Sequence, residues 1–504
     1  MGTDAGYGTT VEEPGTEQAP ARRRLPSLIA SPRVLLAGVC VVHALLAIGF
    51  VVGHHIWWEQ DETVYLSQVT PHAPALTFTA PRARGMPALL YPISQVTRDV
   101  TAIRTYLVVL GTVGLYVGLS PWIRLGFGRL VALAGLIYTT LWGVTFFGAE
   151  AQPNFTFAWM AVGVVGYFLL ALREPDRRRS PVIMAALIAA GALVRPSDAT
   201  WLAAPLVIGL LFLRTTSWRR RARVGATLVI GLCVGWSEWV VEAYASYGGF
   251  LHRLHEANAL NTPGIHFALL TQARAIDGPT LCRPCSQVAL SPAQFAWWFA
   301  VPPLIAIALF AARGTPRFAP LAFATVAGTA LLLEYTLTVN YAAPRFLLPT
   351  YLLLAIPTAS GLATLGSRAA RSAYAPALVT GLVVVLILQV ATQTTILSRE
   401  VNRIKARRST YLTAAAALRK AGVTAPCLVS GLAGPPVGYL LGCDDHPQPP
   451  DAFRRVKSGT SVLIFTGTQA GRGAFPELRT VSLGGVGRLQ DWVAHVLPAD
   501  GPAP

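Results

Sequence analysis

Two adjacent carboxylates, Asp61 and Glu62, follow the first long apolar run of the chain and are well placed to do chemistry. The run covers residues 34 to 53, so the pair falls at a membrane surface. A carboxylate held there can act as a general base toward a hydroxyl group, and burial beside Trp57 and Trp58 would raise its pKa toward a useful range. The alternative is the solvated start of an ordinary loop. The position of the pair favours a functional site.

Four arginines and a third acid fall in segments that reach the same surface. Glu150 ends the third apolar run, Arg82 and Arg84 lie later in the first loop, and Arg195 and Arg345 lie in later turns. A guanidinium matches the oxygens of a phosphate group in bidentate fashion, so these arginines are candidates to bind a phosphate. Each could instead contact lipid headgroups without specificity. Glu150 could likewise be a solvated carboxylate at the end of a span.

Cysteines give a further indication of which segments lie outside. One pair falls in a loop, one pair falls in the C-terminal tail, and two more lie within apolar runs: Cys282 and Cys285, Cys427 and Cys443, Cys40 and Cys233. The first four are predicted to form structural disulfides, because an oxidising compartment permits them. The alternatives are a redox centre or half of a zinc site. The last two are predicted to be buried thiols.

The elements that position these residues are transmembrane helices. Of 504 residues, 53% are hydrophobic and 13% charged, and the mean hydropathy is +0.49, which excludes an ordinary soluble protein. Apolar runs long enough to cross a bilayer recur along the chain. The hydropathy pattern predicts eleven spans, near residues 34–53, 105–123, 130–148, 154–172, 181–194, 199–213, 224–243, 295–312, 318–339, 347–365 and 375–394. The short runs 181–194 and 199–213 could instead form one re-entrant hairpin.

Arginine distribution predicts the orientation of these spans. Every second connection carries an Arg excess, which is typical of cytoplasmic loops. This topology accounts for the net charge of +17 without a nucleic-acid partner. We therefore expect a multi-pass plasma-membrane protein with a cytoplasmic N-terminus and, because the span number is odd, an outer C-terminus. The predicted inner arginines are Arg124 and Arg129; Arg173 and Arg177 to Arg179; Arg214, Arg219 to Arg221 and Arg223; Arg313 and Arg317; Arg368 and Arg371.

The predicted domains follow from this pattern. Residues 1–30 read as a disordered cytoplasmic tail, residues 31–395 as the membrane domain, and residues 396–504 as a small extracytoplasmic α/β domain. Outer loops 54–104 and 244–294 are large enough to build a site. In the C-terminal domain, a helix over 408–421, strands at 427–430 and 462–465, and a helix around 490–496 are expected.

The membrane region resembles the C-type glycosyltransferase (GT-C) superfamily, polytopic enzymes that take sugars from polyprenyl-phosphate carriers. The resemblance rests on Asp61-Glu62, the Pro81–Pro92 segment, Glu150 and the Arg345–Pro349 segment. It implies an all-α membrane fold of about eleven helices. It also implies Asp61 as the catalytic base, with Glu62 or Glu150 orienting the base or the acceptor.

The resemblance further implies phosphate binding by outer-loop arginines: Arg84 first, then Arg345, with Arg82 and Arg195 as further candidates. The C-terminal domain and the Arg-rich, Lys-poor composition look similar to actinobacterial members, which build cell-wall arabinan or mannan or mannosylate proteins. A sugar of the arabinofuranose or mannose class, and a cell-envelope glycan, lipid or protein acceptor, are thereby expected. No cofactor is required, although some members use a divalent cation such as Mg²⁺ or Mn²⁺, for which Asp61, Glu62 and Glu150 could supply oxygens.

A transporter or flippase for lipid-linked saccharides is the main rival function. Such a protein places charged side chains inside the membrane. Ionisable residues are few within the predicted spans, and the chief ones are His43, Glu238 and Glu334. A noncatalytic scaffold that presents the C-terminal domain is a third interpretation. The polar residues concentrate at one membrane face, which favours the enzyme.

Overall fold

The computed structural model describes Gly2 and residues 31–174, 178–213, 216–261, 264–431, 433–446, 460–466, 479–483 and 492–497. Apart from Gly2, the predicted tail of residues 1–30 lies outside the described residues. Helices dominate the rest. Within the described residues the chain forms α1 (Pro32–Phe50), α2 (Gln60–Ser67), α3 (Gly85–Ser94), α4 (Val100–Trp122), α5 (Leu130–Thr139), α6 (Trp142–Phe147), α7 (Pro153–Arg173), α8 (Arg179–Val194), α9 (Pro196–Phe212), α10 (Trp218–Ser246), α11 (Phe250–Leu260), α12 (Leu269–Ala275), α13 (Pro292–Ala311), α14 (Phe318–Thr338), α15 (Leu348–Ala369), α16 (Ala375–Lys420) and α17 (Gly434–Leu441).

Every predicted span coincides with helical structure. Within the described residues, seven helices are long and apolar enough to cross a membrane, and several shorter apolar helices accompany them. The third predicted span is divided into α5 and α6, which meet at Thr140 and Leu141. The ambiguous fifth and sixth spans are the 16-residue α8 and the 17-residue α9, joined at Arg195. The chain is therefore a multi-pass membrane protein.

The loops that connect successive membrane helices lie alternately at one end of the helix bundle and at the other. At one end, Arg317 donates to Gly126 O at 2.7 Å, and Arg124 forms an ion pair with Glu174. At the other end, Asp61 of the first loop contacts Arg345 of the segment between α14 and α15. This separation matches the alternation that the arginine distribution predicts. We call the two ends the Arg317 end and the Asp61 end.

Small residues allow the membrane helices to approach closely. Helices α8 and α10 pack against each other along Gly231 and Gly235, which are four residues apart on α10. A Cβ atom at either glycine would collide with the backbone of Ala185 or Ala189 on α8. Such small-residue contacts drive helix association in lipid, where burial of apolar side chains gives little net gain. Cys40 is buried as expected, but the prediction of a buried Cys233 is wrong, because this thiol is exposed on the helical surface.

The C-terminal domain contains one mixed sheet. Its strands are β1 (Cys427–Gly431), β2 (Asp444–His446), β3 (Thr460–Thr466), β4 (Arg479–Ser482) and β5 (Trp492–Leu497), in the order β2-β1-β3-β5-β4. Strands β1, β2 and β3 are parallel, whereas β5 runs antiparallel to both β3 and β4. The predicted helix at 490–496 is wrong, because the described part of that segment is β5. Its run of buried residues does not distinguish strand from helix, and pairing with β3 decides for the strand.

Helix α16 connects the membrane domain to the sheet without a break. It is 46 residues long, so the span predicted at 375–394 and the helix predicted at 408–421 are both helical, but they are parts of one helix. The predicted domain boundary at 395 falls inside this helix. The sheet domain packs on the first loop, where the Thr77 backbone N–H donates to Asp445 Oδ1 at 2.5 Å and a Cβ at Gly438 would touch Leu76. The sheet domain and the first loop therefore lie at the same end of the bundle.

Candidate active site

Helix α2 positions both carboxylates of the Asp61-Glu62 pair. Glu59 caps its N-terminus, and the Glu59 backbone N–H donates to Glu62 Oε2 at 2.7 Å, which completes a capping box. Successive residues on an α-helix point about 100° apart, because a turn contains 3.6 residues. Asp61 and Glu62 therefore leave the first turn in different directions. The side chain of Glu62 is 0% exposed and that of Asp61 is 31% exposed.

Glu62 points into the protein and is saturated by donors. Arg104 of α4 forms a two-pronged contact with it, at 3.1 Å to Oε1 and 3.0 Å to Oε2. The Ala151 backbone N–H donates to Oε1 at 2.8 Å. Arg104 also donates to the carbonyl oxygens of Ile56, Trp57 and Ala149. This side chain connects the first loop, α4 and the turn before α7, which is a structural task.

Arg408 enters the same buried cluster from the distant end of α16. Its Nη1 lies 2.7 Å from Glu150 Oε1 and 3.4 Å from Glu62 Oε2, and its Nη2 lies 2.8 Å from Glu59 Oε2. Burial alone would raise the pKa of Glu59, but Arg408 and Arg407 outweigh it and hold that pKa below its usual value. Burial raises the pKa of Glu150 to about 7, with Arg408 opposing the shift. We call Glu59, Glu62, Glu150, Arg104, Arg407 and Arg408 the buried cluster.

Asp61 is partly exposed, and two arginines hold its carboxylate. Arg82 Nη2 lies 2.7 Å from Asp61 Oδ1, and Arg345 Nη2 lies 2.9 Å from Asp61 Oδ2. Burial would raise the pKa of Asp61, but both guanidiniums outweigh it, so the pKa lies below its usual value. The carboxylate is therefore ionised at neutral pH. We call Asp61, Arg82 and Arg345 the open cluster.

Two tyrosines and a third arginine border the open cluster. Burial raises the pKa of Tyr65 and of Tyr341, and both phenols also lie within the electrostatic reach of Asp61, Arg345 and Arg195. Arg195 is held by Asp198, at 3.0 Å from Nε to Oδ1, and it also donates to the Tyr335 hydroxyl. Its side chain remains 26% exposed. The sequence-predicted residues Asp61, Arg82, Arg195 and Arg345 thus converge.

Arg84, the first phosphate candidate of the sequence, points elsewhere. Its Nε donates to Glu242 Oε1 at 2.8 Å, and its Nη1 donates to Gln68 Oε1 at 2.7 Å. Its guanidinium lies 3.9 Å from the ring centre of Phe78. Glu242 also binds Arg253, which is fully buried. Arg84 therefore ties the first loop to α10, and Arg82 occupies the position beside Asp61.

The four loop and tail cysteines form two disulfides. Cys282 pairs with Cys285, and Cys427 pairs with Cys443 beside β1 and β2. The first pair is bonded to the segment that carries Arg345 of the open cluster. Cys282 and Ala342, three positions before Arg345, exchange backbone hydrogen bonds at 2.9 and 3.3 Å. Arg283 also lies over the ring of Tyr341 at 4.8 Å. These contacts fix the segment that carries Arg345.

The acidic residues do not form a metal site in this arrangement. Among the described residues, no group of three or more His, Cys, Asp or Glu side chains could hold a metal ion. Both oxygens of Asp61 and both oxygens of Glu62 already contact guanidinium or backbone N–H groups. A divalent cation would have to enter between arginines, which repel it. The charge of the open cluster suits an anion.

Several contributing residues have no clear signal in the sequence. Glu59 follows the first span and Arg104 precedes the second. A charged residue at such a position is ordinarily exposed to solvent at the membrane boundary, so neither indicates a buried contact. Arg408 and Arg407 lie more than three hundred positions from Glu59 and meet it only through the fold. Only the density of Arg along residues 399–408 of an otherwise apolar helix could have indicated a buried partner.

Comparison with known proteins rests on solved structures. No family model and no curated protein sequence matches the chain. The crystal structure of ArnT from Cupriavidus metallidurans bound to undecaprenyl phosphate matches with a TM-score of 0.61 and 14% identity, covering 93% of this chain and 99% of that chain. The apo state of ArnT matches with a TM-score of 0.57 at 15% identity, covering 93% and 98%. This chain has the GT-C fold.

A second GT-C structure matches over a shorter part of its own length. The archaeal oligosaccharyltransferase AglB from Archaeoglobus fulgidus, in complex with an inhibitory peptide and a dolichol-phosphate, gives a TM-score of 0.51 at 11% identity. The match covers 82% of this chain and 64% of AglB. Both resemblances cover most of this chain and show its fold, while the assignment of the open cluster rests on contacts within this chain.

Proposed function

We propose that this protein is a membrane glycosyltransferase that moves a sugar from a polyprenyl-phosphate carrier to a hydroxyl group of a cell-envelope acceptor. The observation that carries the proposal is the charge imbalance of the open cluster. One half-exposed carboxylate, Asp61, is held by the guanidiniums of Arg82 and Arg345. This surplus of positive charge suits an anionic group beside a base, and the similar structures with bound undecaprenyl phosphate or dolichol-phosphate support a lipid phosphate.

Arg82 and Arg345 are the proposed phosphate ligands. A guanidinium has five N–H donors, and each of these arginines uses one nitrogen on Asp61. A second nitrogen of Arg82, Nη1, donates to Thr79 Oγ1 at 2.6 Å. The remaining donors can bind the oxygens of the donor phosphate, and Arg195 at the border adds a third guanidinium. Arg84 is committed to Glu242 and is the weaker candidate.

Asp61 is the proposed base. In the transfer, the acceptor oxygen forms a bond to the anomeric carbon, and the bond from that carbon to the phosphate oxygen breaks. The acceptor proton passes to Asp61, and the electron pair of the broken bond leaves with the polyprenyl phosphate. A phosphate is a good leaving group whose charge the arginines stabilise, so no separate acid is needed. When phosphate oxygens compete for Arg82 and Arg345, the pKa of Asp61 rises and the carboxylate becomes a stronger base.

Glu62 and Glu150 are proposed to support the site rather than to touch substrate. Both side chains are almost fully buried and contact Arg104 or Arg408. A divalent cation is not part of the proposed reaction. Arabinofuranosyl and mannosyl carriers are the donors to test first, because the C-terminal domain and the Arg-rich composition resemble those of actinobacterial enzymes.

The test is transfer by the purified protein in detergent or nanodiscs. Synthetic polyprenyl-phosphate sugars, carrying a radiolabel in the sugar, are incubated with envelope acceptors, and the label is followed into acceptor and into released sugar. Transfer by the parent and its loss in Asp61→Asn are expected. Asp99→Asn is the matched control, because Asp99 caps α4 at an exposed position and its asparagine can still accept the Ala102 N–H bond. Equal transfer by Asp61→Asn and the parent would refute the base assignment.

A flippase is the second candidate, and Glu334 is the observation that bears on it. Glu334 is buried in α14 and accepts a hydrogen bond from Ser197. It lies in the last two turns of α14, near the Asp61 end, whereas the binding sites of secondary transporters lie near the bilayer midplane. Movement of a labelled lipid-linked sugar across sealed vesicles without acceptor, combined with no transfer in detergent, would favour the flippase.

A further inference from the structure

The Arg317 end of the bundle contains an apolar groove that the proposed function does not use. The groove has a volume of about 570 Å³, and its walls come from the end of α13, the start of α14 and the end of α15. Apolar residues form most of it, and two arginines complete it: Ala306, Ile307, Leu309, Phe310, Phe318, Arg313 and Arg368. The volume falls in the range of about 300–1,000 Å³ that is typical of small-molecule sites.

The two arginines of the groove differ from most of their neighbours at this end. Five other arginines donate to a carboxylate or to backbone carbonyl oxygens: Arg124, Arg173, Arg220, Arg221 and Arg317. Within the described part of the chain, the guanidiniums of Arg313 and Arg368 have no such oxygen partner. The Arg313 guanidinium lies 4.9 Å from the ring centre of Phe310, which also lines the groove. Among the residues that the structure describes, no acidic side chain lines the groove.

The groove lies one bilayer away from the open cluster. The helical segment Pro344–Ala369 carries Arg345 near its start and Arg368 near its end. At a rise of about 1.5 Å per residue, these two arginines are about 35 Å apart, which is the thickness of the hydrocarbon core plus part of an interface. A ligand in the groove therefore occupies the opposite leaflet from the proposed sugar donor.

We propose that this groove binds one anionic glycerophospholipid of the bilayer. Its phosphate would lie between Arg313 and Arg368, and an acyl chain would follow Phe310 and Ile307 toward the membrane. A guanidinium pair suits a phosphate diester, and an apolar wall suits methylene groups. The exposed fraction of Phe310, at 63%, agrees with a side chain that faces lipid.

The test is native mass spectrometry of the purified full chain with added phosphatidylglycerol or phosphatidylcholine. The parent is expected to retain one phosphatidylglycerol in preference to phosphatidylcholine. The double variant Arg313→Gln/Arg368→Gln should lose this preference, with an apparent affinity that is about tenfold lower or more. The matched control is Arg219→Gln/Arg223→Gln, which removes the same charge from exposed positions of α10 at the same end, outside the groove.

A second variant and a second probe distinguish a bound lipid from a bound phosphate ion. Ala306→Trp fills the groove and keeps both arginines, and the exposed position of Ala306 makes it tolerable. This variant should also lose the bound phosphatidylglycerol, and inorganic phosphate should not displace the lipid from the parent. Each variant is used only after its unfolding temperature in detergent without added lipid matches that of the parent.

Three results would overturn the proposal. The first is equal retention of phosphatidylglycerol by the parent and by Arg313→Gln/Arg368→Gln. The second is an equal loss in both double variants, which would indicate general attraction to a basic surface. The third is displacement by inorganic phosphate together with normal binding by Ala306→Trp, which would indicate a phosphate ion site.

Discussion

The buried cluster and the open cluster begin at neighbouring residues of one helical turn. In the buried cluster, Glu59, Glu62 and Glu150 face Arg104, Arg407 and Arg408, so its formal charges balance. In the open cluster, one carboxylate faces two guanidiniums and is partly exposed. The difference assigns the tasks, because a balanced and buried set holds segments together, whereas an exposed set with surplus charge is suited to a substrate. The largest structural effects should therefore come from the buried cluster and the largest catalytic effects from the open one.

Removal of Arg408 should have the largest effect on stability. Arg408→Ala leaves Glu150 and Glu62 buried with fewer partners, and breaking a buried ion pair costs about 3–5 kcal/mol. We expect a large fall in the unfolding temperature, measured by tryptophan fluorescence in detergent. The matched control is Arg407→Ala, which removes a more exposed guanidinium from the same carboxylate, Glu59. Equal unfolding temperatures for Arg408→Ala and the parent would contradict the structural role of the buried cluster.

Removal of either arginine of the open cluster should act on the donor. Arg345→Ala and Arg82→Ala each lose charge-assisted contacts to a phosphate, which are worth about 1.5–3 kcal/mol and correspond to about a 10- to 150-fold fall in kcat/KM for the donor. The unfolding temperature should change little. Steady-state transfer at varied donor concentration measures the effect. If Arg84→Ala raises the donor KM more than these variants do, the phosphate assignment belongs to Arg84 instead.

Removal of the Cys282–Cys285 disulfide should weaken the site through Arg345. Cys282 exchanges backbone hydrogen bonds with Ala342, three positions before Arg345. Cys282→Ser/Cys285→Ser is expected to raise the donor KM by a few-fold, whereas Cys427→Ser/Cys443→Ser should affect only the stability of the sheet domain. Transfer kinetics and unfolding temperature, measured on both double variants, separate the two effects. An unchanged donor KM in the first variant would show that the loop holds Arg345 without the disulfide.

The smallest expected effect is a pH dependence of stability that comes from Glu150. Its pKa is raised to about 7 in the folded protein and is near 4.5 in an unfolded chain. The folded state therefore binds the proton more tightly, so the contribution to stability is full below pH 4.5 and is lost as the pH rises through 7. Unfolding temperatures of the parent should fall from pH 5 to pH 8 more steeply than those of Glu150→Gln. If the unfolding temperatures of the parent and of Glu150→Gln depend on pH in the same way, Glu150 does not bind a proton more tightly in the folded protein, and the prediction fails.

The sequence predicts some features because they depend on local pattern. The lipid environment requires long apolar helices, so hydropathy alone predicts where the membrane helices lie. Asp61 and Arg82 follow from charged residues in the first outer loop, and Arg195 and Arg345 from charged residues in the short turns between helices. The segment at 490–496 could not be predicted in this way, because its short mixture of apolar and polar residues suits a helix or a strand, and only its pairing with β3 distinguishes them.

Other features depend on partners that are distant in the chain. Arg82 and Arg84 are two positions apart in the same segment, and the sequence predicts phosphate binding for either of them. Their different orientations are set by Asp61 and by Glu242 on α10, more than one hundred and fifty positions away from Arg84. The buried role of Glu62 likewise depends on Arg408. Local sequence contains no information about which neighbour a fold brings to each guanidinium.

The most direct test of the central claim compares Asp61→Asn with Glu62→Gln in one experiment. Both substitutions remove one charge from adjacent residues with little change of shape. For Asp61→Asn, sugar transfer should fall by about 10²- to 10⁴-fold, as for loss of a general base, with an unchanged unfolding temperature. For Glu62→Gln, the unfolding temperature should fall, and the molecules that remain folded should keep most of their transfer rate. The reverse pattern, an active Asp61→Asn and a stable but inactive Glu62→Gln, would contradict the account and move the chemistry to the buried cluster.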